Sequence, residues 1–115
     1  MRRNGHKFNA VKTTVDNITF ASKAEAKRYG ELKLLEKAGE IRYLRLQPKF
    51  PLVAVQEASG ERTRVGTYIG DFAYCTPLSA AQVVEDVKGF KTALYKWKAR
   101  HMKAQYGITI TEITR

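Results

Sequence analysis

The sequence has a single cysteine, Cys75, so it forms no internal disulfide and offers no cysteine-based zinc cluster. No apolar run approaches the length of a membrane span, and no signal-peptide pattern opens the chain. These absences predict a protein of a reducing cytoplasm with no membrane partner. No repeat, linker or low-complexity tract divides the sequence. A chain of 115 residues with 43% hydrophobic content therefore predicts one domain large enough to fold alone. Acid is missing from two stretches. Residues 1–15 carry Arg2, Arg3, Lys7 and Lys12 without an acidic residue, and residues 87–111 carry Lys88, Lys91, Lys96, Lys98, Arg100 and Lys103 without one. Those ten residues equal the whole net charge of +10, since the rest of the chain balances eleven basic against eleven acidic residues. Two basic blocks on a neutral body point to a polyanion, most simply nucleic acid, against the plainer reading of a soluble basic surface.

Residues 1–14 are polar, basic and aperiodic, and read as a flexible arm before a domain over 15–115. Val15 to Phe20 reads as a short extended piece with an Asp16-Asn17 turn. Ser22-Lys23-Ala24-Glu25 is a capping box that predicts a helix from Lys23 to Ala38, ended by Gly39, with Tyr29, Leu32 and Leu35 as its apolar stripe. Strands are expected over Ile41–Leu46, Phe50–Val55, Arg64–Tyr74 and Gln82–Lys88, with Gln47-Pro48 interrupting the first pair. Gly89 breaks the last of these. A second helix over Thr92–Tyr106 then stops at Gly107, and Ile108–Thr111 is a final strand. The order α-β-β-β-β-α-β predicts an α/β fold with a mixed β-sheet flanked by two helices.

Two of the strands carry carboxylates where apolar residues are expected: Tyr68-Ile69-Gly70-Asp71-Phe72 and Val83-Val84-Glu85-Asp86-Val87-Lys88-Gly89. Alternation places Val84, Asp86 and Lys88 on one face of the strand and Val83, Glu85 and Val87 on the other. Charged residues on a core strand are costly unless they pair, bind a metal or do chemistry. An Asp, a hairpin and then Asp-x-Lys suit a metal-dependent phosphodiesterase, in which carboxylates hold a divalent ion and lysine stabilises charge at the phosphate. The plainer alternative is a structural pair of Asp71 and Asp86 with Lys88 as salt-bridge partner.

This element order with these residues resembles the core of the PD-(D/E)XK nuclease superfamily, the restriction-endonuclease-like fold. Asp71 matches its first acidic position, with Gly70 in place of the preceding proline. Asp86-Val87-Lys88 matches its triplet, and Glu25 matches the helix glutamate of junction-resolving members. Over residues 8–112 the chain also resembles a small, mostly phage-encoded family known as a domain of unknown function. That likeness rests on Phe20-Ala21-Ser22-Lys23-Ala24-Glu25-Ala26, Leu46-Gln47-Pro48-Lys49-Phe50 and the two carboxylate segments. The resemblance implies a Mg²⁺- or Mn²⁺-dependent DNA endonuclease with Glu25, Asp71, Asp86 and Lys88 as catalytic residues. It further implies structure-selective cutting of branched DNA, as by a Holliday-junction resolvase in phage recombination or packaging. A homodimer in the cytoplasm of a bacterial host is expected. The alternatives are a nicking or end-processing nuclease acting as a monomer, and a nucleic-acid-binding protein that keeps the fold without cutting.

Metal ligands are expected from Asp71, Asp86, the Val87 carbonyl and Glu25, an oxygen-only set suited to Mg²⁺ or Mn²⁺ rather than zinc. Glu25 lies about 40° from the centre of its helix stripe, so it points toward the sheet and can serve the site as well as close the capping box. Glu85 faces away and replaces Asp86 only if a bulge shifts the register. Gln47 is read either as a turn residue or as a polar group near the site. Arg2, Arg3, Lys7, Gln47, Lys91, Thr92, Tyr95, Lys96 and Lys98 are the expected nucleic-acid contacts. Trp97 and Met102 are expected in the core, His101 packed or at the surface, and His6 without a metal role.

Overall fold

Ser22 opens the first helix in the computed structural model, which describes residues 11–114. Its hydroxyl accepts from the Glu25 N–H at 3.1 Å, and α1 runs over Lys23–Lys37. Gly39, at φ +80°, then turns the chain out of the helix in the left-handed region that glycine tolerates. Before the helix, β1 (Thr13–Val15) and β2 (Ile18–Phe20) form a hairpin. Its turn residues Asp16 and Asn17 both have positive φ, 52° and 63°, the backbone of a tight hairpin turn. Thr13 and Thr14, expected in the arm, thus belong to a strand. The Tyr29 hydroxyl donates to Asp16 Oδ2 at 2.8 Å and fastens the hairpin to α1.

Five strands follow: β3 (Arg42–Leu46), β4 (Lys49–Val55), β5 (Arg62–Ile69), β6 (Phe72–Cys75) and β7 (Gln82–Lys88). Then come α2 (Ala93–Tyr106) and β8 (Thr111–Thr114). The main sheet has the order β3-β6-β7-β8, antiparallel except for the parallel β7–β8 pair. A separate ribbon pairs β4 with β5. The fold is thus a mixed α/β structure, mostly antiparallel, with more strands than the expected order contained.

The strand expected over Arg64–Tyr74 is two strands in different sheets. Both partners bend at one level: Leu46 pairs with Phe72 below the bend and Lys49 with Ile69 above it. Between them the Gln47 N–H donates to Asp71 O (2.9 Å) and the Gly70 N–H to Pro48 O (3.0 Å). A Cβ on Gly70 would stand 3.0 Å from Val84 Cγ1, tighter than side chains ordinarily pack, so glycine suits the close approach to β7. A proline here would also lose the bond to Pro48, which explains Gly70 where the resembling motif has proline. The final strand begins at Thr111 rather than Ile108, because Ile108 and Ile110 pack into the core on the way to the sheet.

The helices cover opposite faces of the main sheet. Phe72 and Tyr74 pack with Ala26, Tyr29 and Leu32 of α1, while Ala73 and Val84 pack with Tyr95 and Met102 of α2. Alternation along β6 and β7 produces this division. The fully buried Leu32, Phe72, Val84 and Met102 anchor the two layers, each contributing about 1.5–3 kcal/mol by burial. No described helix is long and apolar enough to cross a membrane.

Candidate active site

β7 carries charge on both faces, and each face has a different partner. Toward α2, Asp86 is 6% exposed; its Oδ2 accepts from the Tyr68 hydroxyl at 2.6 Å and its Oδ1 lies 3.4 Å from Lys88 Nζ. Lys88 Nζ sits 4.0 Å from the centre of the Tyr95 ring, a cation–π contact that fixes the ammonium beside Asp86. Burial, then the bond to Asp86, raises the Tyr68 hydroxyl above its ordinary pKa and keeps it a donor. Toward α1, Glu85 is wholly buried and takes a two-pronged bond from Arg28, at 2.8 and 2.7 Å. The Tyr74 hydroxyl also donates to Glu85. Burial, then that bond, pushes the Tyr74 hydroxyl up to about 12. Glu85 is therefore an anchor for α1, and the alternation expected from the sequence holds.

Asp71 stands at the corner where the chain leaves the ribbon for the main sheet. Its Oδ2 accepts from the Val87 N–H at 2.7 Å, and its own N–H donates to Glu85 O at 3.0 Å. Burial pushes its carboxyl up to about 7; the Val87 bond and Lys88 pull it down, while Glu25 and Asp86 repel its charge. Glu25 and Gln47 line one cavity with Asp71, on the side of β2. Asp86 and Lys88 line another with Tyr68, Thr92, Tyr95 and Lys98. Asp71 is the group that feels both sides.

The donor set of Asp71, Asp86, Glu25 and the Val87 carbonyl is hard oxygen chemistry, suited to Mg²⁺ or Mn²⁺. Glu25 and Asp86 repel the Asp71 charge, a repulsion that a cation placed among them would relieve. Among the described residues, no three His, Cys, Asp or Glu side chains are gathered into a metal-holding group as they stand.

The remaining expected residues divide. Thr92 caps α2, accepting from the Tyr95 N–H at 3.0 Å. Tyr95 is buried, its hydroxyl donating to Glu112 at 2.8 Å, and Lys91 pairs with Glu112 at 2.6 Å. Lys91, then Tyr95, holds Glu112 below the usual carboxylate range. Lys98 Nζ donates to Thr67 O at 2.9 Å, and Lys96 is exposed. Trp97, expected in the core, is 49% exposed, because it lies about 200° around α2 from Tyr95 and so off the buried face. Met102 is fully buried, and His101 packs by Trp97 and bonds Gln105. Arg2, Arg3, His6 and Lys7 lie outside the described residues. Sequence reasoning missed Arg28, Tyr68 and Glu112. Glu112 alone left a sign, as a carboxylate between the β-branched Thr111 and Ile113.

The Asp71 carboxyl gives a pH test. Its proton is held to higher pH in the folded chain than in the unfolded one, so stability falls as pH rises from 3.8 to about 7. Asp71→Asn keeps an oxygen for the Val87 N–H and removes this loss. In metal-free buffer its Tm at about pH 8 should exceed wild type by about 4 °C or more, the gap narrowing toward about pH 4. A gap that does not change with pH would refute the raised Asp71 carboxyl.

The chain matches, over residues 5–115, the family described as a protein of unknown function (DUF1064), and it belongs to that family. No curated protein and no solved structure matches it.

Proposed function

We propose that this member of the DUF1064 family is a Mg²⁺-dependent DNA endonuclease on a restriction-endonuclease-like core. The observation that carries the reading is Asp71: a half-buried carboxyl at the corner into β6, bonded to the Val87 N–H at 2.7 Å and set between Glu25 on one side and Asp86 and Lys88 on the other. Perturbed carboxyls in a cleft beside a lysine are characteristic of catalytic centres. The core assignment is supported by α1 preceding the sheet, the corner at Asp71 and the parallel return of β8 after α2.

Asp71 and Asp86 would hold the ion, with the Val87 carbonyl and Glu25 as further oxygen donors. When bound, a divalent ion lowers the pKa of its water and supplies a nucleophile near neutral pH. Lys88, held by Tyr95 and Asp86, stabilises the charge that builds on the phosphate. Tyr68 fixes the rotamer of Asp86. The exposed cations of α2 neutralise the DNA backbone. Structure-selective cutting by a homodimer, as in a Holliday-junction resolvase of phage recombination or packaging, is what the resemblance implies, and no described element is shaped as a dedicated base-reading module.

The test is incubation with Mg²⁺ or Mn²⁺ and linear, nicked, flapped, Y-shaped and four-way DNAs. Cleavage of branched over linear DNA is expected; no cleavage of any of them would sink the enzyme reading. One observation favours a second reading, a binding protein that keeps the fold without cutting. Both Asp86 oxygens face partners within the chain, and no three-carboxylate group is gathered among the described residues. Binding without cleavage in the same panel would select it.

Glu25→Gln separates capping from catalysis, because Gln also serves at the third position of a capping box. Cleavage should fall about 10–100-fold with an unchanged Tm. Full activity in this variant would return Glu25 to a capping role.

A further inference from the structure

The α2 side of the site carries apolar surface that the core does not use. Ile69, the last residue of β5, is 52% exposed, and Leu94, in the first turn of α2, is 61% exposed. Both line the cavity of about 260 Å³ that holds Asp86 and Lys88. Its lining also includes Tyr68 and Tyr95. Lys98 ties α2 to Thr67 on β5, so the two sides of the cavity are held together rather than free to close. Trp97, one turn beyond Leu94, is half exposed, and Phe90, just before the helix, is 77% exposed.

These side chains are interleaved with cations. α2 carries Lys96, Lys98, Arg100 and Lys103 and no acid. A protein-binding core is depleted in charge and in lysine particularly, so this mixture does not suit a protein partner. It suits nucleic acid, whose bases have apolar faces and whose backbone is anionic. A base stacked and paired in a duplex cannot enter such a cavity; an unstacked one can. Apolar wedges that enter an opened base step are an established way for proteins to recognise distorted DNA.

We propose that this cavity seats one unpaired nucleobase beside the scissile phosphate, with Ile69 and Leu94 as the wedge. The proposal rests on the nuclease reading and deepens it: the substrate class becomes DNA with an unstacked base, at a junction, flap or bulge. Ile69 and Leu94 select that base by apolar contact, and Lys98 meets the adjoining phosphate.

The experiment measures binding by the full chain in chelator, so that no cutting intervenes, with cleavage assayed separately in Mg²⁺. The probes are a linear duplex, the same duplex with a one-base bulge carrying 2-aminopurine, and a four-way junction. Wild type should prefer bulge and junction and change the 2-aminopurine emission. Ile69→Ser and Leu94→Ser should each reduce that preference about tenfold, the scale of one lost base contact, while leaving linear-duplex affinity and Tm unchanged. Lys96→Ala should weaken all three probes alike. Equal loss on every probe in the Ser variants, or unchanged preference, would overturn the proposal. So would a change in oligomeric state by sedimentation in place of a change in DNA preference, since the surface would then join subunits. An intact preference with no Mg²⁺-dependent cleavage would leave the seat in place and remove the nuclease reading.

Discussion

Asp86→Asn and Lys88→Ala will each lower single-turnover cleavage of branched DNA by about 10²–10³-fold, the loss expected when one preorganised stabiliser of transition-state charge is removed. Asn still offers an oxygen to the Tyr68 hydroxyl, 2.6 Å away, so the local packing survives. Lys88→Ala takes the counter-charge from Asp86 Oδ1, 3.4 Å away, so its Tm is measured beside its cleavage rate to separate lost folding from lost chemistry. Binding to the same DNA in chelator should stay near wild type in both variants. Glu85→Gln is the neighbouring control, since its side chain lies across the sheet with Arg28 and Tyr74. Cleavage at wild-type rate by Asp86→Asn, with activity lost in an equally stable Glu85→Gln, would mean that the functional carboxylate is Glu85.

Arg28→Ala will cost about 3–5 kcal/mol of stability, because it strands the Glu85 carboxylate without its counter-charge. The side chain of Glu85 has no exposed surface and that of Arg28 only 20%, so water cannot replace the lost guanidinium. A triple variant, Arg28→Met with Glu85→Leu and Tyr74→Phe, removes all the polar partners together and should recover most of the loss. Urea unfolding with an unchanged m-value measures both. A cost below about 1 kcal/mol for Arg28→Ala would place the pair with exposed ion pairs instead. Arg28 follows Glu25 by one turn of α1, so the same bond holds Glu25 on the side of the sheet where Asp71 lies.

Much of this arrangement is legible in the chain itself. Ser22 before Glu25, and Thr92 before a run ended by Gly107, mark helices that begin and end as their caps require. Gln82–Lys88 is a strand over the whole expected range, and its alternation separates Asp86 from Glu85. The misplaced features have one cause, which is that local pattern says nothing of where a strand changes partner. Arg64 to Tyr74 is continuously extended in composition, yet it breaks at Gly70, where the N–H bonds Pro48 O and Val84 leaves little room for a side chain. Trp97 is apolar but sits off the buried arc of α2, among exposed cations and the exposed Leu94.

The sequence alone determined the helix ends, the faces of β7 and the excess of positive charge, because each depends only on spacing, capping or count. Tertiary structure alone decided three things. It turned Asp71 into a corner residue capping Val87 N–H, it paired Glu85 with Arg28 across 57 positions of chain, and it set Ile69 beside Leu94. Contacts between residues far apart in sequence arise from how layers pack, and no local periodicity encodes them.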